Sequence, residues 1–195
     1  MPRDEMGTLI SIDIEFDEVK SFLKRVYRSV DFEYENLISR SQAGEFKDPD
    51  EEANAFFTPR TAENLAMRAA LNEINSLVEW ELSALGAGPF SKAQLTKKNK
   101  LRFAWDLKRE DLQKLIESHY GIKLDDLPGS KEVEKLRRTI NSFKHRKGFK
   151  DPRKDRDADD KNIFGQYELD RATVSNYLDG ARKFLRALYA QCKPN

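Results

Sequence analysis

A chain of 195 residues, 35% charged and 38% apolar, has room for one buried domain of the helical, highly charged kind. Its uninterrupted apolar runs fall far short of the roughly 20 residues that span a bilayer, and the opening MPRDEMG has no apolar signal region, so a cytoplasmic location is expected. The lone Cys192 rules out an intrachain disulfide and a multi-thiolate metal site, and the net charge of +1 conceals an asymmetry: Lys131 to Arg156 alone carries +7, leaving −6 elsewhere.

In chain order, Leu9 to Phe16 alternates Ile10, Ile12, Ile14 and Phe16 with Ser11, Asp13 and Glu15. That period of two predicts a short strand within an extended arm over 1–16, paired either with Asn162 to Leu169 or with the same arm of a second subunit. From Asp17, a capping residue, the period becomes helical through Val19, Phe22, Leu23, Val26, Val30 and Leu37, ending near Ala43-Gly44. Gly44 to Pro59 reads as a loop with Phe56 and Phe57 packed down at its end, and Thr58-Pro59 as a helix start. The second helix carries Leu65, Ala70, Ile74, Leu77, Val78 and Leu85, keeps Glu73, Glu79 and Glu81 as surface or ion-pair residues, and stops at Gly86 and Gly88-Pro89.

Ser91 to Arg102 reads as a short helix or a loop, with Phe103, Trp105 and Leu107 as core material beyond it. A helix is predicted from Arg109 to Tyr120, closed by Gly121, with Ile122 to Gly129 as a turn. Ser130 to Gly148, SKEVEKLRRTINSFKHRKG, reads as one amphipathic helix between a Ser cap and a Gly stop. The charged stretch over 149–165 reads as a mobile loop, either inert or able to close over a ligand beside His145. A last helix from Asp170 to Cys192 carries Val174, Tyr177, Leu178, Ala181, Phe184, Leu185, Leu188 and Tyr189 in one core stripe, with Cys192 as a packed apolar residue. The whole is expected to be an all-α antiparallel bundle of four to five helices, a single domain over 1–195.

Within Ser130–Gly148 one pair stands apart. At 100° per residue from Val133, the stripe Val133, Leu136, Ile140, Phe143 falls between about 280° and 360°, whereas Arg138 and His145 fall near 140° and 120°. They leave the same face, roughly 10 Å apart along the axis, pointing away from the core. Asn141 and Ser142 fill the turn between them, and Lys144, Arg146 and Lys147 add positive charge around His145. A basic cluster of this kind is an electrostatic footprint for a polyanion. There is no Gly-rich phosphate loop and no pair of histidines at metal spacing; His119, beside Tyr120 at a helix end, reads as structural.

The segment LRRTINSFKHRKG resembles the Arg-x(4–6)-His signature of the HEPN superfamily (higher eukaryotes and prokaryotes nucleotide-binding), and the order of motif helix, charged loop and closing amphipathic helix is similar too. Thr139 stands where many active members carry Asn, Asp or His. The resemblance implies a metal-independent, cofactor-free endoribonuclease of the toxin or antiviral-defence kind, with the motif doubled across a homodimer. It implies Arg138 and His145 as catalytic, Asn141, Ser142, Lys144, Arg146 and Lys147 as supporting or RNA-binding, and an antitoxin or other regulatory protein as a possible partner. Cleavage of RNA by its own 2′-hydroxyl needs proton transfer and cationic stabilisation of the phosphorane, work suited to histidine and arginine. A different class also fits: a catalytically silent bundle that binds RNA or a protein partner through the same basic surface.

Overall fold

The alternating stretch at the N-terminus is helical. In the computed structural model, which describes residues 5–93, 107–146, 148 and 169–192, it lies inside α1, Glu5–Gln42. Ile12 and Phe16 are buried one turn apart, in line with Thr8 behind them, while Ile10 and Ile14 remain 54% and 53% exposed. An i, i+4 pair is contained in any i, i+2, i+4 series, so alternation alone could not separate strand from helix. Packing decides it, and the expected extended arm is overturned. The chain is all-α, with five helices and no strand among the described residues.

The loop expected over Gly44–Pro59 shrinks to residues 43–48. Asp48 starts α2, Pro49–Ala93, earlier than predicted: its Oδ1 accepts from the Glu51 N–H at 2.8 Å, and Asp50, Glu51 and Glu52 sit at the positive end of the helix dipole. Pro59 is carried inside the helix, where its ring forfeits one backbone bond. Gly86 and Gly88-Pro89 do not stop α2 either, which runs on to Ala93 for roughly 67 Å at 1.5 Å per residue. Its buried stripe is Ala66, Met67, Ala70, Leu71, Ile74, Leu77, Val78 and Leu82; Leu65 and Phe57, expected to pack, are exposed. Phe56 does pack, against the Tyr34 ring at 6.1 Å. Glu81 is buried and accepts a hydrogen bond from the Tyr189 hydroxyl, whereas Glu73 and Glu79 are exposed.

The later helices follow the expected bounds closely. α3 spans Arg109–Tyr120, a 3₁₀ turn Leu124–Asp126 leads to α4, Ser130–Arg146, and α5 spans Arg171–Gln191. Asp170 caps α5, accepting from the Thr173 N–H at 2.6 Å. The α5 stripe from Val174 to Cys192 is buried as predicted, apart from Tyr177, which is half-buried, and burial pushes the Cys192 thiol up to about 11. The expectations for Phe103, Trp105 and the charged loop 149–165, and most of that for Ser91–Arg102, lie outside the described residues.

α5 packs on α1, α2 and α4, and α2 packs on α1, α3, α4 and α5, so these two helices form the centre. Basic residues of α5 are spent on acids of α1. Arg182 reaches Asp13 at 2.8 Å and Asp17 at 2.9 Å, Arg186 also holds Asp13, and Lys20 reaches back to Asp179 at 2.6 Å. Arg171 forks onto Asp31, meets Glu63 at 2.5 Å and stacks over the Tyr27 ring at 4.5 Å. The hydrogen bond from Arg186, with Arg182 beside it, holds the Asp13 carboxyl below the usual carboxylate range against the opposing effect of burial. A carboxyl depressed in the folded state stabilises above its unfolded pKa, near 4, and that contribution is lost as pH falls through the lower folded value. Thermal melts from pH 5 to pH 2 should therefore drop less steeply for Asp13→Asn than for the wild type; parallel curves would show that the clamp contributes nothing.

Candidate functional site

α4 begins in a way the sequence did not suggest. The Gly129 carbonyl accepts from the Val133 N–H at 3.0 Å, and the Ser130 hydroxyl ties backward to the Asp125 carbonyl at 2.7 Å, so Ser130 anchors the turn and is not the cap. Val133, Leu136 and Ile140 are buried and Phe143 is half-buried, as the helical wheel requires. The buried side is wider than that stripe. Thr139 and Ser142 are both 0% exposed: Thr139 Oγ1 lies 3.3 Å from the Tyr177 hydroxyl of α5, and Ser142 Oγ donates to the Thr139 carbonyl at 2.7 Å. Ser142 is thus withdrawn from the face expected to bind RNA. Its hydroxyl is engaged within the helix.

The C-terminal end of α4 is closed by Gly148, whose N–H donates to the Ser142 carbonyl at 3.0 Å with φ at 89°. A Cβ there would stand 2.7 Å from the Phe143 ring, and Arg68 of α2 lies over that ring at 5.4 Å. Phe143 therefore pins the end of the helix from the side facing away from His145.

On the opposite arc, Arg138 and Asn141 are half-buried and Lys144 and His145 are exposed. Lys135 and Lys131, about one and two turns before Arg138, are exposed as well. The side chains of Arg146 and Lys147 lie outside the described residues. Arg138, Asn141 and His145 follow one another at spacings of three and four, a straight row along the helix surface.

Glu134, which no motif in the sequence singles out, extends that row by one more turn. Its Oε1 accepts from Arg138 Nε at 3.0 Å and from Arg137 Nη2 at 2.9 Å, while Oε2 accepts from Arg137 Nε at 2.9 Å. Burial opposes the Glu134 charge, but the bonds from Arg137 and Arg138 outweigh it and hold the carboxyl below its ordinary range. The signal was present in the sequence as Glu-x2-Arg and Glu-x3-Arg, both spacings at which helix neighbours touch. Behind this cluster, Arg109 at the start of α3 is pushed down by burial and by the charge of Arg137, and its Nη1 is buried without a hydrogen-bond partner. A narrow, partly open cavity of about 40 Å³, lined by Arg109, Gln113, Asp125, Ser130 and Glu134 among others, has room for a water or two to meet that donor.

No family model, curated protein or solved structure matches this chain. Two roomier clefts lie elsewhere, about 810 Å³ between α1 and α2 around Ile14, Phe22 and Ala69, and about 500 Å³ around Trp80 and Arg109. Neither is lined by Arg138 or His145, which stand on a convex helix surface. Among the described residues, no group of three or more His, Cys, Asp or Glu is gathered for a metal, and no helix is long and apolar enough to cross a membrane. His119 is exposed at the end of α3, edge-on to Tyr120 at 4.7 Å.

Proposed function

We propose that the chain is a metal-independent endoribonuclease of the HEPN type, acting as a homodimer in a toxin or antiviral-defence setting. The observation that carries this reading is the placement of Arg138 and His145 on one outward arc of α4, two turns apart, while the core residues of the helix face the other way. A convex row cannot enclose a phosphodiester by itself. Two such rows brought together about a two-fold axis would form a cleft holding two arginines and two histidines. His145 then moves the proton between the 2′-hydroxyl and the leaving 5′-oxygen, and Arg138 offsets the charge that grows on the phosphorane. Lys144, Lys131 and Lys135 supply the sequence-independent attraction for the RNA backbone.

One observation favours a second reading, a catalytically silent module that binds RNA or a regulatory protein. Thr139, in the place where active relatives of this type put a polar site residue, is fully buried against Tyr177. A single assay separates the two. The purified protein is incubated with single-stranded RNA in EDTA and the product ends are analysed. New termini bearing 2′,3′-cyclic phosphate support the ribonuclease; intact RNA bound with steep salt dependence supports the silent module and sinks the enzymatic reading.

A further inference from the structure

Arg138 and Glu134 form an i, i+4 pair with the acid N-terminal to the base, the favourable order on a helix. Taken alone, such a surface pair contributes little. Two features set this one apart. The carboxylate is itself held by a two-pronged contact with Arg137, whose Nε and Nη2 take one oxygen each at 2.9 Å. The oxygen Oε1 that it presents to Arg138 Nε, at 3.0 Å, lies on the same row as Arg138, Asn141 and His145. An arginine stem has four rotatable bonds and much rotamer freedom to lose when it binds a phosphate. A carboxylate fixed from behind and bonded to Nε removes part of that freedom beforehand and sets the plane of the guanidinium.

Resting on the ribonuclease reading, we propose that Glu134 is a positioning residue. It acts through Arg138, presenting the guanidinium of that arginine to the scissile phosphate, and it does not touch the RNA. The arrangement carries a cost in affinity, because a carboxylate one turn from the phosphate repels it. Glu134 therefore trades RNA binding for alignment, and this trade gives it a signature unlike that of a structural residue. Removing it leaves RNA affinity equal or higher and lowers the chemical step. A residue needed only for folding would lower both, and an inhibitory latch on Arg138 would raise the chemical step when removed.

The test compares wild type, Glu134→Gln and Glu134→Ala for single-turnover cleavage, RNA affinity and the NMR signal of the Arg138 Nε–H, with circular dichroism melts to show that α4 is intact. Misplacement of a positioned group costs on the order of 10- to 100-fold in rate. A fall of that size is expected for the alanine variant with affinity unchanged or improved. A smaller fall is expected for glutamine, which keeps one acceptor oxygen, and the Nε–H signal should move toward that of a free arginine in Glu134→Ala. Cleavage at or above the wild-type rate overturns the proposal, as does an unmoved Nε–H signal. If the wild type does not cleave RNA, the ribonuclease reading is what has failed. Glu134 is then judged by a double-mutant cycle on RNA affinity. An effect of Glu134→Ala that differs by about threefold or more between the wild-type and Arg138→Ala backgrounds sustains the coupling, and additive effects reject it.

Discussion

Loss of His145 or of Arg138 is expected to lower RNA cleavage by about 10²- to 10³-fold, with the fold unchanged. His145 is exposed and Arg138 half-buried on the outer arc of α4, so alanine at either position opens no cavity in the core. The two variants should differ in binding. Arg138→Ala removes a permanent charge and should weaken RNA affinity and reduce the salt slope by about one, whereas His145→Ala should bind nearly as the wild type does. Lys144→Ala, at an exposed neighbour, is the control: weaker binding with the chemical step retained. Mixing the two inactive variants tests the composite site. A dimer of one Arg138→Ala and one His145→Ala subunit retains an arginine and a histidine from opposite partners, and partial recovery of cleavage is expected. Cleavage persisting in both single variants would remove the row from the mechanism altogether.

The second large effect belongs to Gly180 on α5. Gly180→Ala is expected to destabilise the protein by about 1–3 kcal/mol, the range found when a filled core is overpacked. Alanine would ordinarily stabilise a helix interior by about 0.5–1 kcal/mol relative to glycine. Here a Cβ at position 180 would stand 2.2 Å from the Glu132 Cβ and 2.6 Å from its Cγ, closer than side-chain atoms approach one another. Glu132 sits in the first turn of α4, so the clash falls where the motif helix crosses α5. Urea denaturation of Gly180→Ala would show the loss, and Glu132→Ala in the same background should recover little of it, because the nearest obstruction is the Cβ that alanine retains. A stability at or above that of the wild type would mean that α4 shifts freely against α5. In that case the row from Glu134 to His145 would not be rigidly placed.

Much of the fold was legible. α3, α4 and α5 follow periodicity and stop residues to within a residue or two, because Leu112, Ile116, Val133, Leu136, Val174 and Leu185 each repeat at a helical period and are buried where that period puts them. The first half was read less well. Period-two spacing in Leu9–Phe16 also contains the i, i+4 contact, and Pro59, Gly86 and Gly88 are breakers only where the rest of a helix does not outweigh them. In α2 a stripe of eight buried residues, Ala66 to Leu82, anchors the helix between those points. Of the site, the shared arc of Arg138 and His145 was readable from a helical wheel. The burial of Thr139 and Ser142 was not, since it depends on how α5 is seated against α4.

The sequence by itself determined that this protein is a helical bundle, that positive charge is concentrated between Lys131 and Arg156 in the chain, and that Arg138 and His145 leave one helix together. These follow from composition and from 3.6 residues per turn, both of which are local. Only the tertiary structure decided which polar neighbours remain available to that pair. It buried Thr139 and Ser142, and it spent Arg182 and Arg186 of α5 on Asp13 and Asp17. The reason is that a polar side chain on a helix can be turned to the core, to an ion pair or to a ligand at similar local cost, and the neighbouring helices settle which.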